Sequence, residues 1–292
     1  MDTDFFDVTG QIAGLWVYPI KSCAGIAVPS APLLATGLAH DRAFMVVDPQ
    51  GEFMTQRELA RMVLIQPALA DGVMHLTAPG MPALQVDMAF TGPERPVRVW
   101  DDTVAALQAP AEVNAWFSQF LGTACALVRM APSARRLAST KWTGGAEAPT
   151  QFADGYPLLV ISQASVDELN TRLVQAGHAP VGPERFRANV LVGGFQSHDE
   201  DRIESLSVHQ GDTASQQWLD LPMVKPCARC PIPDIDPATA TSLPTVSDTM
   251  QTYRQDARLG GAITFGMNAI VPAGASATLA VGDRVGGALQ FD

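Results

Sequence analysis

Two cysteines three positions apart form the strongest chemical signal in the sequence. Cys227 and Cys230 lie in the segment 225–236, which reads Lys-Pro-Cys-Ala-Arg-Cys-Pro-Ile-Pro-Asp-Ile-Asp. Thiols at this spacing can share one metal ion or form a redox pair. Arg229 lies between them and would help to keep a thiolate ionised. Because prolines occupy positions 226, 231 and 233, a regular helix is excluded and the segment is predicted to be a shaped loop.

The residues alone leave other interpretations of this cysteine pair open. A structural zinc site would need a second pair of ligands, whereas Cys23 and Cys125 are single and distant. A thioredoxin-like redox pair would need a following helix, which the prolines prevent. Two ordinary buried thiols are a third possibility. Asp234 and Asp236 follow the pair, and they could deliver protons, orient neighbouring groups by hydrogen bonds, or cap the loop through Asx turns.

Cationic and hydroxyl side chains form further clusters that suit an anionic ligand. Lys21 and Ser22 lie at the end of a predicted strand, before a turn of small residues that lets backbone N–H groups approach a ligand. The other clusters are His40-Asp41-Arg42, Thr55-Gln56-Arg57 and Arg185-Phe186-Arg187-Ala188-Asn189. Forked guanidinium groups match phosphate or carboxylate. One such cluster is most often a surface salt bridge, but several beside a cysteine pair predict an anionic cofactor held by Arg and Lys, with a thiolate nearby.

Short strands are the main elements that must position these residues. Runs of β-forming residues predict strands at 14–18, 43–47, 97–100, 158–161, 190–192 and 277–281, and Asp71-Gly72 predicts a hairpin turn. Apolar residues recur with helical spacing after Pro110 and predict a core-facing helix that ends at Gly122. The segment 165–168 has the form of a capping box for a second helix that stops at Gly177. Residues 196–201 are predicted to form an exposed loop.

The polar, glycine-rich residues 139–154 are predicted to connect a β-rich N-terminal part to a second part. The predicted fold class is therefore α+β or β-barrel-like, mostly β, with two clear helices at most.

Composition excludes several classes of partner. The 292 residues carry a formal net charge of −11, which disfavours nucleic acid and anionic lipid as partners. No stretch reaches the ~20 apolar residues of a membrane span. The acidic segment 1–10 is unlike a signal peptide. We therefore expect a cytoplasmic protein with reduced thiols and without a nucleic-acid or membrane partner. A local anion site remains compatible with this charge, because a few converging Arg and Lys residues can form one.

The order of the motifs resembles that of one known family. Along the chain they are Y-P-I-K-S-C at 18–23, H-D-R-A-F at 40–44, T-Q-R at 55–57, F-A-D-G-Y-P at 152–157, I-S-Q-A-S at 161–165, R-F-R-A-N at 185–189 and C-A-R-C at 227–230. Together they resemble the two-part MOSC proteins, which include the mitochondrial amidoxime-reducing components and bacterial YcbX-type proteins. The resemblance covers nearly the whole chain. It implies an N-terminal MOSC β-barrel domain over 8–130, packed on a MOSC β-barrel domain over 131–290 that carries the cysteine segment.

The resemblance implies a cysteine-ligated molybdenum cofactor. Cys230 would be the protein ligand of molybdenum, and a soft thiolate is a fitting extra ligand beside a molybdopterin dithiolene. The cofactor phosphate would suit Arg and Lys partners. The residues implied to bind the pterin and its phosphate are Lys21, Ser22, Arg42, Ser162, Arg187 and Asn189, with Thr55 and Arg57 near the same pocket and Ala228 and Arg229 beside the metal.

The implied activity is that of a molybdoenzyme oxidoreductase that reduces N-hydroxylated compounds such as amidoximes and N-hydroxylated bases. Asp236 would be a catalytic candidate for proton delivery. An external flavin or iron–sulfur reductase is expected to supply electrons, because no cysteine follows Cys230. Ala228 and Asn268 depart from the mitochondrial relatives, which have a hydroxyl residue and an aromatic residue at these places. The alternative function is a carrier of molybdenum cofactor or persulfide sulfur without reductase activity.

Overall fold

Short strands dominate the computed structural model of the protein, which describes residues 6–211 and 217–290. The strands in the described residues are β1 (Val8–Val17), β2 (Ile26–Val28), β3 (Ser30–Leu34), β4 (Gly37–Leu38), β5 (Phe44–Val47), β6 (Gln66–Ala70), β7 (Val73–Thr77), β8 (Leu84–Asp87), β9 (Glu94–Val99), β10 (Asp102–Gln108), β11 (Ala126–Met130), β12 (Leu158–Ser162), β13 (Val190–Gly193), β14 (Ser205–Gln210), β15 (Gln217–Ala228), β16 (Gln255–Asp256), β17 (Ala262–Ala269), β18 (Ala277–Ala280) and β19 (Arg284–Gly287).

Three α-helices lie in the same part of the chain. They are α1 (Ala111–Leu121), α2 (Gln163–Gln175) and α3 (Thr245–Gln251), and short 3-10 turns lie at Ala60–Leu64, Pro183–Phe186, Asp199–Asp201, Ile232–Asp234 and Ala257–Leu259. The predicted mostly β class is confirmed. The two clearly predicted helices are α1 and α2, whereas α3 was not predicted because its seven residues are too few for a helical period to be recognised in the sequence.

Seven strands close into a barrel in the order β12, β13, β1, β19, β14, β15 and β17, and the pairing of β17 with β12 completes the ring. Neighbouring strands are antiparallel except β12 and β13, which are parallel. A parallel pair needs a long crossover connection, and α2 provides it. Apolar residues from both halves of the chain share the barrel core, among them Ile12, Leu33 and Val208.

Of the other N-terminal strands, β2 pairs with β1, and β3 and β4 form a three-stranded sheet with β18 from the C-terminal half. The rest form two smaller sheets, β5-β11-β10-β9 and β6-β7-β8. Helix α1 buries Val113, Trp116 and Phe117 against a separate core, as its apolar spacing predicts. It ends at Gly122, which has the left-handed conformation (φ 72°) that was expected there. The hairpin prediction is confirmed as well, since Asp71 joins β6 to β7 together with a glycine, both with positive φ.

Two local predictions around α2 are wrong. The helix begins at Gln163 rather than at the expected capping box, because the Ser162 hydroxyl oxygen accepts a hydrogen bond from the Ser165 backbone N–H at 3.1 Å. The segment 196–201 is not an exposed loop, since Asp199 and Glu200 are buried. The Glu200 carboxylate accepts hydrogen bonds from the Ser162 N–H (3.1 Å) and the Ser165 hydroxyl (2.7 Å). Glu200 is thus buried because it supplies hydrogen-bond acceptors to the start of α2.

No helix among the described residues has the length and apolar character needed to cross a bilayer.

Gly266 in β17 allows close contact with β12, and this contact can be tested. Its φ is +76°, and a Cβ there would lie 2.5 Å from Ile161 Cγ2 and 2.6 Å from the Val160 carbonyl oxygen. Gly274 has the same φ but open space around it. We expect Gly266→Ala to lower the free energy of unfolding by about 3 kcal/mol or more, and Gly274→Ala by about 1 kcal/mol, because only the first adds a steric clash. Urea denaturation measures both changes, and equal losses would contradict the steric argument.

Candidate functional site

A cavity of about 390 Å³ is lined by residues from both halves of the chain. Most of the residues predicted for the site line it, namely Lys21, Ser22, Arg42, Thr55, Arg57, Arg187, Asn189, Ala228, Arg229 and Cys230. Its ionisable cations are Lys21, Arg42, Arg57, Arg187, Lys225 and Arg229, and its one lining carboxylate among the described residues is that of Asp154. A protein with a net charge of −11 thus contains one strongly cationic cavity.

Asn189 joins the N-terminal strand to the C-terminal barrel at the cavity wall. The Trp16 N–H donates to the Asn189 carbonyl oxygen (3.0 Å), and the Asn189 side-chain amide donates to the Trp16 carbonyl oxygen (3.2 Å). The Asn189 Oδ1 accepts from the Leu159 N–H (3.1 Å) and from Arg42 Nη1 (3.3 Å). The cavity therefore begins where β1 ends, next to β12 and β13.

Arg42 and Arg187 lie against the same aromatic ring. Their guanidinium carbons are 4.4 Å and 4.3 Å from the centroid of the Tyr18 ring. Arg42 pairs with Asp41 (2.6 Å) and donates to the Arg187 carbonyl oxygen (2.8 Å), whereas Arg187 donates to the Cys23 carbonyl oxygen (2.6 Å). Burial, and after it the Arg42 charge, lowers the pKa of Arg187 to about 10. The fold thus holds two positive charges close together at the cavity wall.

Arg187 lacks a compensating anion among the described residues. It forms no ion pair there, and its Nη2 is buried without a hydrogen-bond partner. A buried charged donor without a hydrogen-bond acceptor destabilises the folded protein, and a bound anion would remove this destabilisation. This part of the cavity is therefore suited to a phosphate or carboxylate.

Strained backbone is concentrated around the cavity. Ser22 (φ 67°), Arg42 (φ 48°), Trp100 (φ 56°) and Arg187 (φ 56°) line it and have left-handed conformations. Such a conformation costs a residue with a side chain roughly 1–2 kcal/mol. Strain of this kind persists where surrounding structure imposes it, and it clusters at binding and catalytic sites.

Lys21 is buried and linked to the cavity rim by Asp154. Its ammonium donates to the Phe152 carbonyl oxygen (3.0 Å) and to the Asp154 carboxylate. Burial lowers the pKa of Lys21, and the neighbouring Asp154 carboxylate acts in the opposite direction. The Trp100 indole N–H also donates to Asp154 (3.2 Å), and the Arg57 guanidinium lies 4.5 Å from the Trp100 ring centroid. These contacts fix both cations at the cavity.

The cysteine segment is only partly the loop that was predicted. Strand β15 continues to Ala228, so the loop begins at Arg229. Arg229 donates to the Cys227 sulfur (3.0 Å) and to the Phe186 carbonyl oxygen (2.9 Å), while its Nε is buried and has no partner in the part of the chain that the structure describes. Cys227 and Cys230 are free thiols that line the cavity. Within the described residues no group of three or more His, Cys, Asp or Glu side chains could hold a metal, so the zinc interpretation finds no further ligands there.

Ser162 and Asp236 lie outside the cavity, unlike the other residues predicted for the site. Ser162 is buried at the start of α2 with its hydroxyl bonded to Ser165. Asp236 accepts a hydrogen bond from the Ala238 N–H (2.8 Å) and lies 3.6 Å from Arg185. The structure thus gives Ser162 a capping role and Asp236 a role in an Asx turn.

Asp234 also has a structural position. Its carboxylate accepts hydrogen bonds from the backbone N–H groups of Val246 (3.1 Å) and Ser247 (2.9 Å) at the start of α3. Asp234 therefore caps the start of α3, a role different from the Asx-turn capping of its own loop that was considered from the sequence.

Two family models match the chain, the MOSC N-terminal beta barrel domain over residues 9–124 and the MOSC domain over residues 147–286. The mitochondrial amidoxime-reducing component 1 of Mus musculus is 30% identical over 255 residues, which are 84% of this chain and 72% of that protein. The chain belongs to the MOSC family.

Other proteins resemble this MOSC chain over different lengths. The molybdenum cofactor sulfurase of Homo sapiens is 28% identical over 247 residues, which are 78% of the MOSC chain but 27% of the sulfurase. Among solved structures, the YUAD protein from Bacillus subtilis is 12% identical, covers 95% of this chain and 94% of its own, and has a TM-score of 0.44.

The cavity of the MOSC chain also contains residues that were not predicted as site residues. Asp154 and Tyr156 lie within the motif F-A-D-G-Y-P, and Lys225 begins the cysteine segment. Their motifs pointed to the right region, although no residue type singled them out. Trp100 belongs to none of the motifs and ends a predicted strand. Only the structure identifies it as a site residue, because there it is a large aromatic side chain that is 38% exposed at the cavity.

The cationic cavity predicts stabilisation by a simple anion. We expect inorganic phosphate to raise the unfolding midpoint of ligand-free protein by about 2–4 °C relative to chloride of equal ionic strength, because a ligand that binds only the folded state stabilises it. Arg187→Gln should abolish most of this difference. Arg135→Gln is the matched control, since Arg135 is exposed and pairs with Glu147 away from the cavity. Differential scanning fluorimetry measures the midpoints, and an unchanged phosphate effect in Arg187→Gln would refute the assignment.

Proposed function

We propose that this MOSC chain binds a molybdenum cofactor and with it reduces N-hydroxylated compounds such as amidoximes and N-hydroxylated bases. Support comes from relatives named mitochondrial amidoxime-reducing component and molybdenum cofactor sulfurase. The observation that carries the proposal is one cavity that combines two free thiols with cations that form no ion pair in the described part of the chain. These cations are Arg57, Arg187, Lys225 and Arg229.

The chemistry of the cavity fits such a cofactor. Arg187 Nη2 and Arg229 Nε are buried donors without a partner within residues 6–211 and 217–290, and a phosphate or pterin acceptor would satisfy them. A thiolate such as that of Cys230 is a soft ligand of the kind that suits molybdenum bound to a dithiolene. The volume of about 390 Å³ lies within the range of roughly 300–1,000 Å³ usual for cofactor and ligand sites.

The residues divide into ligand, anion-binding and positioning groups. Cys230 would ligate the metal. The two residues that precede it, Ala228 and Arg229, would lie beside the metal. Arg229 fixes this loop by bonding both Cys227 and the Phe186 carbonyl oxygen. The residues that would hold the pterin and its phosphate are Lys21, Ser22, Arg42, Thr55, Arg57, Arg187 and Asn189.

Ser162 and Asp236 would act as positioning residues. Ser162 starts the helix that connects β12 to β13, the strand that follows Asn189. Asp236 lies 3.6 Å from Arg185, which also donates to the Pro233 carbonyl oxygen (3.1 Å). Together these contacts tie the cysteine loop to the turn that carries Arg187.

When bound, the molybdenum cofactor supplies the two-electron chemistry that removes oxygen from an N–O bond. The protein would bind and orient the substrate next to Cys230 and surround the anionic cofactor with cations. An external flavin or iron–sulfur reductase would be the electron donor.

A carrier of molybdenum cofactor or persulfide sulfur is the second candidate function. The 28% identity to proteins named molybdenum cofactor sulfurase and the exposure of two thiols to the same cavity favour it. A persulfide on either thiol would release sulfide when treated with dithiothreitol, whereas a metal-ligating thiolate would not.

Cys230→Ala tests the proposed ligand. Protein from a host that makes the cofactor should contain about one molybdenum per chain, and the variant should lose nearly all of it and at least about 100-fold in benzamidoxime reduction, because the ligand itself is removed. Elemental analysis and a reductase assay with an artificial electron donor give the two readouts.

Cys125→Ala is the matched control for this experiment, since Cys125 is buried in the N-terminal core outside the cavity. It should retain metal and activity. Full molybdenum and full activity in Cys230→Ala would exclude Cys230 as the ligand. Sulfide release from wild-type protein that shows no reductase activity would support the carrier function instead.

A further inference from the structure

Three adjacent strands, β12, β17 and β15, form one wall of the cavity. Leu159 in β12 lies opposite Asn268 in β17, and Asn268 lies opposite Lys225 in β15. The Asn268 amide donates to the Lys225 carbonyl oxygen at 3.2 Å. On the other side, the Leu159 backbone bonds Asn189, whose Oδ1 accepts from Arg42 (3.3 Å). Lys225 therefore lies at the opposite end of this row from Asn189 and Arg42.

Lys225 is a cation without a counter-charge at that end. It forms no ion pair with any described residue. Its ammonium lies 5.8 Å from the Tyr156 ring centroid and 5.7 Å from that of Trp142. Cation–π contacts of this kind hold an ammonium in place but leave its charge unneutralised. The ammonium can therefore still bind an anion.

Tyr156 provides a second unpaired donor beside Lys225. The residue lines the cavity, is only 8% exposed, and its hydroxyl has no hydrogen-bond partner among the described residues. Burial raises the pKa of Tyr156 above its ordinary value, so the hydroxyl keeps its proton at neutral pH. A buried hydroxyl without a partner destabilises the folded protein, and a hydrogen-bond acceptor on a ligand would remove this destabilisation.

The Lys225 end is close to the proposed metal ligand. Lys225 and Cys227 are two residues apart in β15, so their backbones are about 7 Å from each other at the usual rise of a strand. Cys230 follows after a short loop, and all three residues line the same cavity. A substrate group bound at Lys225 would thus occupy the same cavity as the proposed metal ligand Cys230.

We propose that Lys225 and Tyr156 form a substrate subsite that selects N-hydroxylated compounds carrying a carboxylate. Lys225 pairs with the carboxylate, and the Tyr156 hydroxyl donates a hydrogen bond to it. Asn268 positions Lys225 through the hydrogen bond to its backbone. This inference rests on the proposed function and specifies the substrate class for the same cavity.

Steady-state kinetics on a matched pair of substrates test this subsite. We expect wild-type protein to reduce 4-carboxybenzamidoxime with a kcat/KM at least about tenfold above that for benzamidoxime, because a charge-assisted hydrogen bond is available only to the first. Lys225→Gln should bring the ratio close to one, and Tyr156→Phe should lower it less. Lys141→Gln is the matched control, since Lys141 also lies 5.7 Å from the Trp142 ring but is exposed and does not line the cavity.

A binding measurement separates this inference from the proposed reductase activity. Calorimetry with the two products, 4-amidinobenzoate and benzamidine, requires no turnover and should show the same preference in wild type and its loss in Lys225→Gln. Thermal unfolding confirms that each variant is folded. Equal affinity of wild type for both products, or an unchanged preference in Lys225→Gln, would overturn the subsite. Absence of reduction of both amidoximes by molybdenum-loaded wild type would instead overturn the proposed function, while product binding still decides the subsite.

Discussion

The pairing of β1 between β13 and β19 is the constraint on which the site depends. Residues 11–15 of β1 pair with β13, and residues 8–11 pair with β19, so the N-terminal strand closes a barrel made otherwise of C-terminal strands. Without β1, two strand edges would be open and the barrel core incomplete. Lys21 and Ser22 lie a few residues after the end of β1. Because β1 pairs with β13, they lie in the same cavity as Arg187 and Asn189. The pairing that closes the barrel therefore also places residues from the N-terminal half in the cavity wall.

The second organising feature is the concentration of positive charge inside an acidic protein. Arg42 and Arg187 share the Tyr18 ring, both have strained backbones, and Arg187 keeps a buried donor without a partner. The closeness of the two like charges, the strained backbones and the unpaired donor each cost stability in the ligand-free protein, although the contacts with the Tyr18 ring are favourable. An anion bound between them would offset part of that cost, which links the stability of the fold to occupation of the cavity. Stability is in this way given up locally in favour of binding.

Most of the residues predicted for the site from the sequence line the cavity, but the prediction did not identify which residues lie just outside it. Ser162 and Asp236 were assigned to the site from their motifs, yet one caps α2 and the other accepts a hydrogen bond in an Asx turn. Conversely, Trp100 belongs to none of the motifs and lies at the cavity beside Arg57. A motif states that residues lie near a site. Which of them face it depends on the direction of individual side chains, and a shift of one residue along a strand reverses that direction.

By itself the sequence determined the chemistry that was available and the local structure that carries it. Free thiols in a proline-rich segment, guanidinium groups in turns, the helix ending at Gly122 and the Asp71 hairpin follow from donor types and backbone preferences of short segments. Only the tertiary structure decided which of these groups meet. Arg42 contacts the backbone of Arg187 across 145 residues, and Lys21 contacts Phe152 across 131. Such contacts depend on the pairing and register of strands far apart in the chain, and no local pattern contains that information.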